Sequence, residues 1–176
     1  GLGDVYKRQM EQPQAISATI SPRIGNDGRI ILDGIALTQE ELQAFNRIFI
    51  LACGSAYHVG VVGKYVIEQA ARIPVEVDIA SEFRYRMPLV DERSLVLIIS
   101  QSGETADTLA ALREAKSHGA RVISIVNVVG STIARESDDV LYTWAGPEIS
   151  VATTKAYSTQ LTLIYLLALY LSLIHI

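Results

Sequence analysis

The sequence predicts an α/β protein with three layers, a doubly wound parallel sheet between two sheets of helices. Two observations carry this. The apolar runs "RIFILAC", "SLVLIIS" and "RVISIVN" are short and uninterrupted, so they read as strands buried on both faces rather than strands with one wet side. Stretches of helical length separate them, as crossovers between parallel strands require. In such sheets ligands sit beyond the carboxyl ends of the strands, near the point where strand order reverses.

In chain order, residues 10–45 form a lead-in. Pro13, Pro22 and the turn-like Gly25-Asn26-Asp27-Gly28 suggest two short helices joined by a turn, the second running through "TQEELQAFNRI" with Thr38 as its N-cap. The domain itself is expected over 46–171. Its first strand ends at Gly54, and a helix follows to about Ala71. Pro74 introduces "VEVDIA". After "SLVLIIS" a helix is expected from Glu104 to His118, closed by Gly119. "RVISIVN", a short helix over Ser131–Glu136, the strand "DVLYTW" and a long helix from "TTKAYSTQ" onward complete the pattern. The ends "GLGDVYKRQ" (1–9) and "SLIHI" (172–176) read as non-native tails and are set aside. With no initiator methionine and an apolar run still in progress at Ile176, the chain is expected to be a fragment.

Composition narrows the partners. Of 176 residues 49% are apolar and 19% charged, so disorder is disfavoured and one sizeable core is expected. The net charge is −4 with the signs interspersed, and no basic block suggests nucleic acid or an anionic membrane surface. The single cysteine, Cys53, permits no disulfide within the chain and fits a reducing cytoplasm. The apolar run Leu161–Ile176 falls short of the roughly 20 residues a bilayer span needs, and reads as a buried or interface helix.

The chemistry gathers at strand–helix junctions. Cys53-Gly54-Ser55-Ala56 and Ser100-Gln101-Ser102-Gly103-Glu104-Thr105 both place small polar residues and a glycine between a strand end and a helix start. Backbone N–H groups and the positive helix end converge there and favour an anion. Hydroxyls of Ser100, Ser102 and Thr105 add neutral donors, which suit a phosphate that must exchange. Ordinary N-caps are the competing reading. Other phosphate motifs fail: Gly63-Lys64 is followed by Tyr65, so no nucleotide P-loop is formed, and Gly54, Gly60 and Gly63 do not make a dinucleotide fingerprint. Val59 stands where a cysteine phosphatase would carry arginine, so Cys53 reads as a small core residue. His58 could face the site, and His118 reads as a helix C-terminal contact. No set of histidine, cysteine and carboxylate has metal spacing, so neither a metal nor a cofactor is expected. A third loop, "AGPEISVATTKAY", also joins a strand end to a helix. By itself it reads as a cap, through Thr153 or Thr154, with Glu148 and Lys155 as solvated charges.

Together, "ILACGSAYHVG", "EVDIASEFRYR", "SQSGETADTLAALREAK" and "EISVATTKAYSTQLTLIYLLALYL" resemble the sugar isomerase (SIS) domain family. "SEFRYR" with "EISVATTKAY" narrows the resemblance to the branch that handles fructose 6-phosphate and glucosamine 6-phosphate. The resemblance implies a five-stranded parallel, flavodoxin-like sheet, and a sugar phosphate held by Ser100, Gln101, Ser102 and Thr105 with help from Ser55. It also implies that Val151 and Thr153 contact the sugar, which reverses the cap reading of the third loop. Where the family often has Thr-Ser this chain has Ser55-Ala56, so one hydroxyl is missing. The resemblance further implies a larger parent with an ammonia-releasing part upstream and a second domain of the same kind downstream; the long apolar helix after Thr153 has more hydrophobic surface than one face can bury, so that parent is expected to be a homodimer. The ring-opening and proton-moving residues lie outside this chain, and Glu148 is a poor candidate for either role. Rival expectations are a non-catalytic sugar-phosphate sensor, which would bring a helix-turn-helix head, and an isomerase of another phosphosugar.

Overall fold

The computed structural model describes residues 2–147 and 153–175. Five strands, β1 (Arg47–Ala52), β2 (Val75–Ile79), β3 (Ser94–Ser100), β4 (Arg121–Val126) and β5 (Asp139–Tyr142), form one parallel sheet in the order β2-β1-β3-β4-β5. This is the flavodoxin-like order, whose reversal point lies between β1 and β3. Ala52 pairs with Ile99 and Ser100 with Val126, so the carboxyl ends of the three central strands are nearly level.

The continuous apolar runs divide by pleat between two cores. Ile48, Ile50 and Ala52 of β1, with Leu95, Leu97 and Ile99 of β3, face α3 (Ser55–Ala71) and α7 (Lys155–His175). Phe49, Leu51, Val96, Ile98 and Val122 face the other layer, α4 (Ala80–Phe83), α5 (Ala106–Ser117) and α6 (Thr132–Glu136). Gly60 and Gly63, the glycines that fail as a phosphate motif, serve close packing instead. A Cβ on Gly60 would lie 2.9 Å from Ile50 Cγ2, and one on Gly63 would lie 3.1 Å from Ile164 Cγ2.

The lead-in differs from the expectation in one respect. Its first helix, α1, is long, running Leu2–Ile20 through Pro13 and taking in residues 2–9. Proline cannot donate to the carbonyl four residues back. Gln12 Nε2 donates to that carbonyl, Gln9 O, at 3.3 Å in its place. The second helix, α2 (Gln39–Ala44), starts as expected at Thr38 with a complete capping box to Glu41. Between them the chain runs along the outer edge of β5: Val140 N–H donates to Gly34 O, and Ala36 N–H donates to Asp139 Oδ1. The open edge of the sheet is thereby covered.

α7 extends to His175, longer than the apolar run alone, and is long and apolar enough to cross a membrane by length and composition. In this fold Leu163, Ile164, Leu167, Ala168 and Leu171 are buried against the sheet and α3, while Tyr165, Leu169 and Leu173 stay exposed on the opposite side.

Candidate functional site

The helices that follow β1 and β3, α3 and α5, begin without a side-chain cap. α2 is capped by Thr38 and α6 by Ser131, whose Oγ accepts from Ala134 N–H. α3 instead starts at Gly54, with φ +60°, and α5 starts at Thr105, and neither N-cap side chain bonds its helix. The first N–H groups of a helix have no partner within it. Apart from Tyr57 N–H, which donates to Gly54 O at 3.1 Å, those of α3 and α5 lie at the level ends of β1 and β3. Both starts open on one cavity of about 300 Å³, lined by Cys53, Gly54, Ser55 and Ala56 from the first junction, Ile99–Ser102, Thr105 and Thr108 from the second, and Thr153 and Gln160.

Within the second junction the hydroxyls are set to donate outward. Ser100 Oγ accepts from Gly103 N–H at 3.1 Å, and Ser102 Oγ accepts from Glu104 N–H at 3.2 Å. With an oxygen lone pair engaged, the Ser102 hydroxyl keeps its proton for an anion, as does whichever of Ser100 and Thr105 does not donate to the other. Thr105 Oγ1 lies 3.4 Å from Ser100 Oγ instead of capping α5. The loop is fastened to α6. Gly103 O accepts from Ile133 N–H at 3.0 Å, and the Glu104 carboxylate accepts from Thr132 N–H at 2.8 Å. Hydrogen bonds from the Thr132 side chain and from this N–H hold the Glu104 carboxyl below the usual carboxylate range. α5 begins at Ala106 and not at Glu104 because the backbone of Thr105 is extended, with ψ at 120°.

The third loop is anchored by Asn127, at the end of β4. Its Oδ1 accepts from Thr143 Oγ1 and Ala145 N–H, both at 2.9 Å, and its Nδ2 donates to Gly146 O at 2.7 Å. Its own N–H donates to Gln101 O at 3.1 Å, so one residue ties the second and third loops together. Sequence reasoning missed Asn127. Val151 and Glu148 lie outside the described residues. Lys155 is not a solvated charge. It is buried and pairs with Glu11 of α1 at 2.8 Å, which holds the Glu11 carboxyl low.

Of the residues singled out in the sequence, Ser55, Ser100, Gln101, Ser102, Thr105 and Thr153 line the same cavity. Gln160, which the sequence did not single out, lines it too. Cys53 is only half-buried and lines the cavity, where its sulfur accepts from Thr108 Oγ1 at 3.7 Å. His58 is exposed, edge-on to Tyr57, and does not line the cavity; His118 bonds Glu114 on its own helix at 3.1 Å. Among the described residues, none that lines the cavity is charged. A larger hollow, about 400 Å³, lies between α1 and Lys155, but Lys155 and Glu11 on its wall already satisfy each other.

A 2-1-3-4-5 parallel sheet with uncapped helix starts and a hydroxyl loop at its reversal point defines an α/β domain suited to anionic metabolites. The chain belongs to the SIS domain family, whose sequence pattern matches residues 41–170. It is 66% identical over 165 residues to the glutamine–fructose-6-phosphate aminotransferase (isomerizing) of Caldanaerobacter subterraneus, covering 94% of this chain and 27% of that protein. With the Clostridium tetani enzyme of the same name it shares 63% identity over 166 residues, again 94% of this chain and 27% of the relative. The C-terminal domain of the Francisella tularensis glucosamine–fructose-6-phosphate aminotransferase superposes with a TM-score of 0.90 at 43% identity, covering 98% of this chain and 48% of that one. The chain thus spans about a quarter of the length of the curated relatives.

Proposed function

We propose that this chain is the part of an isomerizing glutamine–fructose-6-phosphate aminotransferase that holds the sugar phosphate, taking fructose 6-phosphate as substrate and glucosamine 6-phosphate as product. The observation that supports this most is the pair of uncapped helix starts, α3 and α5, opening with the serine loop on one cavity. In this reading the phosphate accepts from the N–H groups at the start of α5 and from the hydroxyls of Ser100, Ser102 and Thr105. Gln101 and Ser55 close the phosphate end. Val151 and Thr153 meet the carbon chain. Ala56 contributes a methyl where a second hydroxyl could stand.

Neutral donors bind a dianion without the clamp of a lysine or arginine, so product can leave. Amination and isomerisation need ammonia and a base near C1 and C2 of the open-chain sugar. Neither is assigned to this chain. Both belong to the remaining three-quarters of the parent, a glutaminase and a second SIS domain, and the chain alone is proposed to bind without turnover. We place the parent in the cytoplasm as a homodimer, with the exposed Tyr165 and Leu169 of α7 covered by its partner.

Isothermal titration of the chain with fructose 6-phosphate tests the reading. Saturable binding that is lost on substituting the serine loop is expected, and absence of binding would refute it.

A further inference from the structure

Gln160 stands in the second turn of α7, at the head of a run that is otherwise apolar. It is 2% exposed, lines the cavity, and its Oε1 is buried without any hydrogen-bond partner. The preceding residue shows the contrast. Thr159 is equally buried, but its hydroxyl donates to Lys155 O and Ala156 O of its own helix. Among the described residues only Arg8 Nη1 and Ser124 Oγ are orphaned in the same way, and neither lines this cavity. A buried carbonyl oxygen without a donor is costly, and such groups call for an unseen partner.

We propose that the Gln160 carboxamide positions the sugar by accepting a hydrogen bond from a hydroxyl of its carbon chain. The site then distinguishes a polyhydroxylated phosphate from phosphate alone. The inference rests on the cavity being a sugar-phosphate site. Its chemistry follows from the donor count: the serine loop and the α5 start supply donors, as a phosphate dianion requires. Oε1 is an acceptor and would repel the dianion, so its partner is an O–H on the rest of the ligand. Gln160 and Thr153 come from the C-terminal part of the chain and not from either phosphate loop.

The test is calorimetric titration of the unsubstituted chain, Gln160→Met and Ser102→Ala with fructose 6-phosphate and with inorganic phosphate. Gln160→Met keeps the length and removes the orphan, so its unliganded melting temperature should equal or exceed that of the parent. Its affinity for fructose 6-phosphate should fall roughly tenfold, with inorganic phosphate unchanged within about twofold. Ser102→Ala should weaken both ligands. Unchanged fructose 6-phosphate affinity in Gln160→Met, or parallel loss of both ligands, would overturn the role of Gln160 while leaving the cavity assignment standing. Failure of the unsubstituted chain to bind either ligand would overturn the cavity assignment and this inference with it. Should Gln160→Met not fold, the side-chain amide resonance of Gln160 in the unsubstituted chain decides. It should shift with fructose 6-phosphate and not with phosphate; no shift with either would overturn the proposal.

Discussion

Gly103 and Ser131 touch so closely that a Cβ on the glycine would lie 2.5 Å from Ser131 Cβ, with φ at Gly103 already +66°. The serine loop is thus pressed onto the start of α6, where Ser131 is occupied as the cap. Gly103→Ala must therefore displace either the loop or the cap. We expect a stability loss of roughly 1–3 kcal/mol by urea denaturation, with fructose 6-phosphate affinity lost in the folded fraction. An alanine variant with parental stability and affinity would show that the loop is not held this way.

Ser102→Ala and Thr105→Ala each remove one hydroxyl donor from the cavity without touching the core. Each should weaken fructose 6-phosphate by about 1–2 kcal/mol, the scale of a hydrogen bond to a charged group. Calorimetry reads the effect directly. Unchanged affinity in both variants would move the anion elsewhere.

Asn127→Ala cuts the side-chain bonds to Thr143, Ala145 and Gly146. A cost of roughly 2–3 kcal/mol is expected, together with weaker sugar binding, because the third loop loses its anchor. Asp139→Ala is the control at the opposite end of the sheet. It breaks the bidentate contact with Arg121 and the bond from Ala36 N–H, at a cost of about 2–3 kcal/mol. Binding by the folded Asp139 variant should be normal. Equal binding losses in both variants would mean that general loosening, not loop anchoring, sets the affinity.

Stability should weaken on the acid side. The carboxyls of Glu41, bonded by Thr38 N–H, Glu68, bonded by Lys64, Glu104, bonded by the Thr132 side chain and N–H, and Glu136, bonded by Arg113, are all held below their ordinary value. Their folded-state values lie below the unfolded ones, so their contribution is complete above the unfolded value of about 4.3 and disappears as pH falls through the folded values. Urea midpoints should be level from about pH 7 to 5 and fall below about pH 4, less steeply in Glu104→Gln. All four groups lie near solvent, so salt should blunt the fall. A midpoint that rises on acidification would contradict the assignment.

Much of the architecture is legible in the residues themselves. Strands such as Leu95–Ile99 are apolar at every position because alternate side chains serve different cores, and Thr38 with Glu41 announces α2. The site is legible only in outline. Thr105 and Ser55 have the chemistry of N-caps, and sequence cannot say that neither caps its helix. Asn127 acts on residues 16, 18 and 19 positions away, beyond any local pattern. Gln160 looks like a polar edge to an apolar run until the fold buries it against the cavity. Pro13 suggested a break, and only the local geometry reveals Gln12 covering the carbonyl that proline leaves open.

The uncapped starts of α3 and α5 are proposed to hold the phosphate of a sugar phosphate. The most direct test is titration of the 15N-labelled chain with fructose 6-phosphate, following backbone amides. Saturable shifts are expected at Ser55 and Ala56 and at Ser102 through Thr108, with the start of α2 unmoved. Shifts confined to α1 and Lys155, or none at all, would contradict it.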